Sequence, residues 1–370
     1  MVKVAVLDQW SQFLTWKERW NEHLERSPQR DNVFLRHEWF AVWWMAFGEA
    51  KELRILLALD GDRLLGIAPL MKSALRYGGC SLQVVSFIGN EHTNRAEFIV
   101  ESSEPASVTR AFWNTLQEMS AQWDVIILDH FRDGLLSSFW IESLRASGRR
   151  WGRRRSYHSP YILIERDWAS YYGGLKAHFK RNLKNRGKRL GGLGTVSYDR
   201  YPSDGRELKP LLEELFQVGA KSWKEGEETA IASTETLRHF YGDLASEADK
   251  NGWLSLHVLR LDDRPVVFHY SLQYRGKLFL LKTEYDLEYA PFSPGHLLQK
   301  EVLQAAFENG LLEFDFLGPS MLWKQEWTDA VKPHSQIWCF NQRWLASMMF
   351  LEKIVVKPFI KRILGIPEKY

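Results

Sequence analysis

Apolar residues recur along the chain in two rhythms, every second position and every third to fourth, and the rhythms come in the same order twice. The first half opens on a short strand, Val2 to Leu7. Helical, tryptophan-rich sequence follows to about Glu25, then a helix from about His37 to Gly48 carrying Trp39, Trp43, Trp44 and Phe47. Two apolar runs, Arg54 to Asp60 and Leu64 to Leu70, flank a Gly61-Asp62 turn and predict a hairpin. A third strand is predicted near Leu82 to Ile88, a helix near Ser107 to Gln122, and a buried strand over Asp124 to Asp129. A helix from about Leu135 to Ser147 and a strand from Tyr161 to Ile164 close the half.

The second half repeats this order. A strand (Thr195 to Tyr201) precedes two helices, about Leu208 to Ser222 and Thr234 to Lys250. A hairpin over Trp253 to Arg260 and Pro265 to Gln273 turns at Asp262-Asp263. A strand (Lys277 to Glu284), a helix opened by Ser293, and strands over Leu312 to Leu317 and Gln336 to Asn341 complete it. Similarity on this scale predicts a duplicated α/β (α+β) unit: two tandem lobes, each a mixed sheet flanked by helices, with a C-terminal amphipathic helix.

At 370 residues the chain has room for two domains with cores of their own. The apolar share of 45% and charged share of 26% are those of a soluble globular protein. Seventeen tryptophans point to aromatic-lined clefts, or to unusually aromatic cores. The two cysteines, Cys80 and Cys339, fit no metal or redox spacing and match a reducing compartment. With no leader before Val2 and no apolar run of spanning length, the expectation is a cytoplasmic protein.

Net charge is only +3, but its placement is uneven. Arg149, Arg150, Arg153, Arg154 and Arg155 are followed by Lys176, Lys180, Arg181, Lys184, Arg186, Lys188 and Arg189, and no acidic residue occurs from Trp168 to Tyr198. Lys176, Lys180, Lys184 and Lys188 fall on one helix face. That face suits an anionic ligand, an anionic membrane or a nucleic-acid backbone, or is simply a solvated linker. From Arg343 the tail alternates apolar clusters with Lys353, Lys357, Lys361 and Arg362. It either lies in a membrane interface on the inner face of the cell membrane or packs on its own domain.

Phosphate-loop, dinucleotide, zinc-protease and nucleophile-elbow motifs are missing, so neither those chemistries nor a metal is expected. What remains lies around Ser293-Pro294-Gly295-His296-Leu297. Proline at the first helical position makes an abrupt helix start, whose unpaired N–H groups and positive dipole end suit a pyrophosphate; a plain helix cap has the same pattern. On the neighbouring strands, His269 interrupts Val266-Val267-Phe268, Lys282, Glu284 and Tyr285 end a strand, and Asp315 sits between Phe314 and Phe316. Ionisable groups in apolar strands are costly unless paired, which makes them candidates for chemistry or for structural hydrogen bonds.

The order of elements resembles a GNAT-type acyltransferase. Several motifs resemble more narrowly the CelD/BcsL group, related to FemAB-type tandem transferases: Trp39 to Gly48, Leu65 to Leu70, Phe179-Lys180-Arg181-Asn182-Leu183, Ser293 to Leu298, and Phe314 to Gly318 followed by Lys324 and Trp327. The resemblance implies an acceptor-side lobe over 1–165, a donor-binding lobe over 166–341 and a basic tail over 342–370. Acyl-CoA would be the donor substrate, its phosphates held by Lys282, Ser293, Pro294, Gly295, His296 and Leu297. His269 or Glu284 would be the general base, Tyr285 would protonate the leaving thiolate, and Asp315 would orient the acceptor. Lys176, Lys180, Arg181, Lys184, Lys324 and Trp327 would meet the acceptor or an anion. The acceptor would be an amine, saccharide or lipid, as in N-acylation of a long-chain amine. A FemAB-like aminoacyl transfer from charged tRNA and a scaffold at a membrane-bound polysaccharide synthase stand as alternatives. The usual GNAT phosphate loop is richer in glycine and basic residues, and the first lobe has no counterpart of Ser293-Pro294-Gly295.

Overall fold

The computed structural model describes the chain except residues 1, 94, 203–204, 223–229 and 365–370 and the side chains of Lys361 and Arg362. Parts of the C-terminal tail and of the segment before Ala230 therefore lie outside the described residues. The chain divides into two compact units, 1–158 with 332–370, and 159–331.

The first unit begins with β1 (Lys3–Leu7), α1 (Trp10–Thr15), α2 (Lys17–Arg26) and α3 (His37–Phe47). Strands β2 (Glu52–Leu53), β3 (Ile55–Asp60), β4 (Arg63–Ala68), β5 (Leu70–Tyr77), β6 (Cys80–Phe87) and β7 (Ile99–Val100) follow. Then come α4 (Pro105–Glu118), β8 (Val125–Arg132), α5 (Leu135–Ala146) and β9 (Arg150–Leu163). One small antiparallel sheet runs β1-β3-β4-β7. In the larger sheet β8 pairs in parallel with β6, and β6 and β5 form a hairpin at Gly78 and Gly79, whose φ of 56° and 80° only glycine adopts cheaply. The tryptophans go mostly to cores: Trp20, Trp39, Trp43, Trp113, Trp123 and Trp140 are fully buried here.

Two strands depart from the sequence expectation. β5 was not anticipated, because its outer half (Lys72 to Tyr77) is polar and half exposed. β9 starts eleven residues before Tyr161, so Arg150 to Arg155 lie on a strand.

The second unit contains α6 (Trp168–Gly174), α7 (Ala177–Gly191), β10 (Val196–Tyr201), α8 (Leu208–Ala220) and α9 (Glu235–Lys250). The meander β11 (Leu254–Leu261), β12 (Arg264–Tyr274) and β13 (Lys277–Tyr285) leads through a 3₁₀ segment, Leu287–Phe292, into α10 (Pro294–Glu308), β14 (Glu313–Asp315) and α11 (Leu322–Gln325). The strands run β10-β11-β12-β13 antiparallel. β14 then pairs in parallel with β13 and antiparallel with Tyr161 to Leu163 of β9. A parallel neighbour requires a crossover, and α10 is that crossover. Its Leu298, Val302, Leu303 and Ala306 bury against the sheet in a core shared with Leu259, Val267, Leu280 and Phe314, and Gly310 (φ 64°) ends it. β15 (Val331–Phe340) returns the chain to the first unit, where it pairs with β8, and α12 (Trp344–Phe350), a π-helical turn (Leu351–Val356) and α13 (Lys357–Ile363) end the described chain.

Both units thus contain one parallel pair closed over only three residue pairs, Val84 to Ser86 with Val125 to Ile127, and Lys277 to Phe279 with Glu313 to Asp315. This is the internal repeat seen as period and order in the sequence.

Candidate active site

In the second unit β13 and β14 part after Phe279 and Asp315, yet β13 runs on to Tyr285. Past Phe279 this edge of β13 has no partner strand among the described residues. On its other edge Tyr270 faces Lys282 while Ser271 faces Leu280, which leaves Leu281 as an extra residue. Such a bulge sharpens the twist and turns the strand where the opening begins.

A cavity of about 270 Å³ sits at this opening, lined by Thr283, Tyr285, Ala290, Ser293, Gly295, His296 and Trp323. Side chains alternate across a strand, so Thr283 and Tyr285 face the cavity while Lys282 and Glu284 face away. Lys282 lies over the Tyr241 ring of α9, 5.5 Å from its centre. Glu284 accepts a hydrogen bond from the Ile231 N–H at 2.9 Å. It also packs against α8 at Gly219, where an added Cβ would lie 2.7 Å from its Oε2.

The start of α10 differs from a simple serine cap. Ser293 is left-handed (φ 48°), and its hydroxyl makes no capping bond, because the 3₁₀ segment with Pro291 runs straight into the helix. The His296 and Leu297 N–H groups donate to the Ser293 carbonyl at 3.0 and 3.4 Å. The Gly295 N–H and the Ser293 hydroxyl have no hydrogen-bond partner among the described residues, so the helix offers fewer donors than the sequence alone promised. Pro294 and Leu297 are buried and serve packing.

His296 adds to these donors. Trp327 Nε1–H donates to its Nδ1 at 3.2 Å, so in the neutral ring the proton sits on Nε2. Burial, with the nearby Arg186 charge, pushes its pKa down to about 4, which keeps that neutral tautomer at pH 7. Phe179 of α7 packs edge-on to both rings, 5.4 Å from His296 and 4.9 Å from Trp327. Helix α7 therefore buries Phe179, Leu183 and Leu190 and brings Arg186 and Arg189 toward the site; Arg189 lies 5.3 Å from the Phe292 ring. Both arginines, with Thr283 and Trp323, escaped the sequence reading as site residues. The i, i+7 spacing of Phe179 and Arg186 was the available signal.

The remaining candidates lie elsewhere. Asp315 is buried and accepts from the Leu317 N–H at 2.9 Å, and Lys324 is buried and donates to the Leu317 and Pro319 carbonyls at 2.5 and 3.0 Å. Together they hold the loop after β14, where Leu317 and Gly318 are left-handed (φ 51° and 57°). Lys176, Arg181 and Lys184 are exposed, and Lys180 donates to the Gly173 carbonyl. His269 pairs across the sheet with Thr283 and with His257, but among the described residues neither of its ring nitrogens has a hydrogen-bond partner. Burial pushes its pKa down to about 3. His269 is neutral when folded and takes a proton on unfolding below pH 6.5, so folding stability falls as pH drops from 6.5 toward 3. His269→Leu is accordingly expected to raise the melting temperature more at about pH 5 than at about pH 8. Equal shifts at both would contradict the buried neutral state.

Residues 177–325, which contain this opening, match the acetyltransferase (GNAT) domain family. This stretch is a GNAT acetyltransferase domain. No curated protein matches the chain in sequence. Among solved structures, FemX is similar at 12% identity over 90% of this chain and 98% of that one (TM-score 0.57). L-PGS from Bacillus licheniformis is similar at 11% over 91% and 96% (0.54). A tandem GNAT protein from the clavulanic acid biosynthesis pathway is similar at 11% over 92% and 98% (0.52). These likenesses span both units, so the chain is a tandem of two GNAT-like lobes. The GNAT domain makes it a transferase.

The lobes differ where the GNAT domain opens. Helix α4, in the position of α10, starts with Pro105 behind Glu104, and a carboxylate at that point disfavours a bound anion.

Proposed function

We propose that the protein transfers an acyl group from an acyl-CoA-type thioester to an amine, with the donor seated in the opening between β13 and β14. The observation carrying this reading is the unpartnered stretch of β13 that ends beside the N-terminus of α10. An extended arm bearing amide groups fits such an edge as an added strand would. The donor's phosphates would meet the Gly295 N–H, the Ser293 hydroxyl, the His296 Nε2–H and the Arg186 and Arg189 charges.

In the transfer the amine nitrogen attacks the thioester carbonyl and the C–S bond breaks. Tyr285 lines the cavity, and its hydroxyl gives a proton to the departing thiolate and regains one from the new amide nitrogen. His269 is too weakly basic for that proton at neutral pH. Asp315 and Lys324 act by shaping the loop opposite β13. A lipid or saccharide amine is the acceptor class we favour within the narrower CelD/BcsL reading. Tyr285→Phe is expected to lower kcat by roughly 100-fold with donor affinity unchanged, as loss of a general acid does. A wild-type rate would remove Tyr285 from the mechanism.

A tRNA-borne aminoacyl donor is the second reading, favoured by the exposed Arg181, Lys184 and Lys188 on the outer face of α7. Competition between acetyl-CoA and charged tRNA for the wild-type protein separates the two.

A further inference from the structure

The C-terminal helices carry an apolar surface that their own unit leaves open. One side is used: Ala346 and Met349 are buried with Leu82, Val125, Trp338 and Phe340, and Ile354 packs against the same cluster. A Cβ on Gly152 would lie 2.6 Å from Ile354, so β9 approaches this side closely. Glu352 ties the inner edge down, accepting from the Tyr77 hydroxyl at 2.6 Å and pairing with Lys357 at 2.5 Å.

The other side faces outward. Trp344, Met348, Leu351, Val355, Phe359 and Ile363 recur at spacings of three and four and form one stripe, with Trp344 67%, Phe359 63% and Ile363 67% exposed. Val356, Ile360 and Leu364 widen it. From Trp344 to Leu364 the stripe is roughly 30 Å long at helical rise. Single exposed apolar residues are ordinary, whereas a contiguous band of this length is an interaction surface.

Charge beside the stripe selects the occupant. Arg150 lies 5.9 Å from the Phe350 ring, and Arg154 is within electrostatic reach of Lys357. Neither arginine has an ion-pair partner among the described residues, and Lys353 and Lys357 share the single acid Glu352. Like charges flanking an apolar band are stabilised by an anionic surface that accepts both. No described helix is long and apolar enough to cross a membrane; an apolar stripe with basic residues beside it suits a helix lying in the plane of an interface.

We propose that this face docks on an anionic lipid bilayer, with the stripe among the acyl chains and Arg150, Arg154, Lys353 and Lys357 at the headgroups. The inference is independent of the donor chemistry in the GNAT domain.

Flotation of the full chain with phosphatidylcholine vesicles, with and without phosphatidylglycerol, tests it. Binding is expected only with the anionic lipid and should weaken as salt rises. Phe359→Glu with Ile363→Glu is expected to weaken it roughly tenfold or more, with the melting temperature unchanged because both side chains are exposed. Truncation is a poor substitute, since Ala346 and Met349 belong to the core. No binding to anionic vesicles, or unchanged binding by the double variant, would overturn the proposal. So would a wild-type dimer that the same double variant converts to monomer without any vesicle binding, because a second copy would then be what covers the face.

Discussion

Gly295→Glu is expected to weaken donor binding on the order of 100-fold and leave the fold intact. Gly295 lies in the first turn of α10 and lines the cavity; its closest side-chain neighbour to a new Cβ would be Thr283 Oγ1, at 3.9 Å. The added side chain therefore fits. A carboxylate there also interacts favourably with the helix dipole, so the melting temperature should hold or rise slightly. The same charge placed where a phosphate would sit is a like-charge contact, which costs several kcal/mol and weakens binding on the order of 100-fold. The check is a thermal-shift titration with CoA and acetyl-CoA: the wild type shifts upward and the variant does not. A variant that keeps the wild-type shift would move the phosphate site away from α10.

The second large effect is expected at Trp327, where stability and site geometry depend on one side chain. Its ring is fully buried against Phe179, its Nε1–H fixes the His296 tautomer, and its carbonyl accepts from the Tyr171 hydroxyl at 2.7 Å. Trp327→Ala removes a large buried side chain and should cost roughly 3–5 kcal/mol by denaturant unfolding. Trp327→Phe keeps most of the ring volume and loses only the donor to His296. It should cost less in stability and still weaken donor binding, because Nε2 is then no longer held as the protonated nitrogen. Equal losses of stability in the two variants would mean that the hydrogen bond, and not the packing, holds this corner together.

The second unit's meander and crossover helix were legible because their apolar residues keep a clean period and the hairpin turn carries Asp262-Asp263. β5 and the start of β9 were not. In β5 the outward positions are polar, and in the first part of β9 the buried positions Gly152, Tyr157 and Ser159 are few, weakly apolar and out of a single alternation, so the charge cluster hid the strand. At the site, Ser293 to Leu297 was visible as a helix start from proline placement, but the left-handed Ser293 and its inward-bonded N–H groups depend on the 3₁₀ segment before it. Leu281-Lys282-Thr283-Glu284-Tyr285 is polar on both faces, so composition could not say that Thr283 and Tyr285, rather than Lys282 and Glu284, look into the cavity. Lys324 reads as an anion ligand in sequence and is instead buried on two carbonyls of the loop it supports.

The proposed function requires a single acyl-donor site, in the second lobe. Its most direct test is isothermal titration of the full wild-type chain with acetyl-CoA. Saturable binding at one donor per chain is expected. No binding, or two equivalent donors per chain, would contradict it.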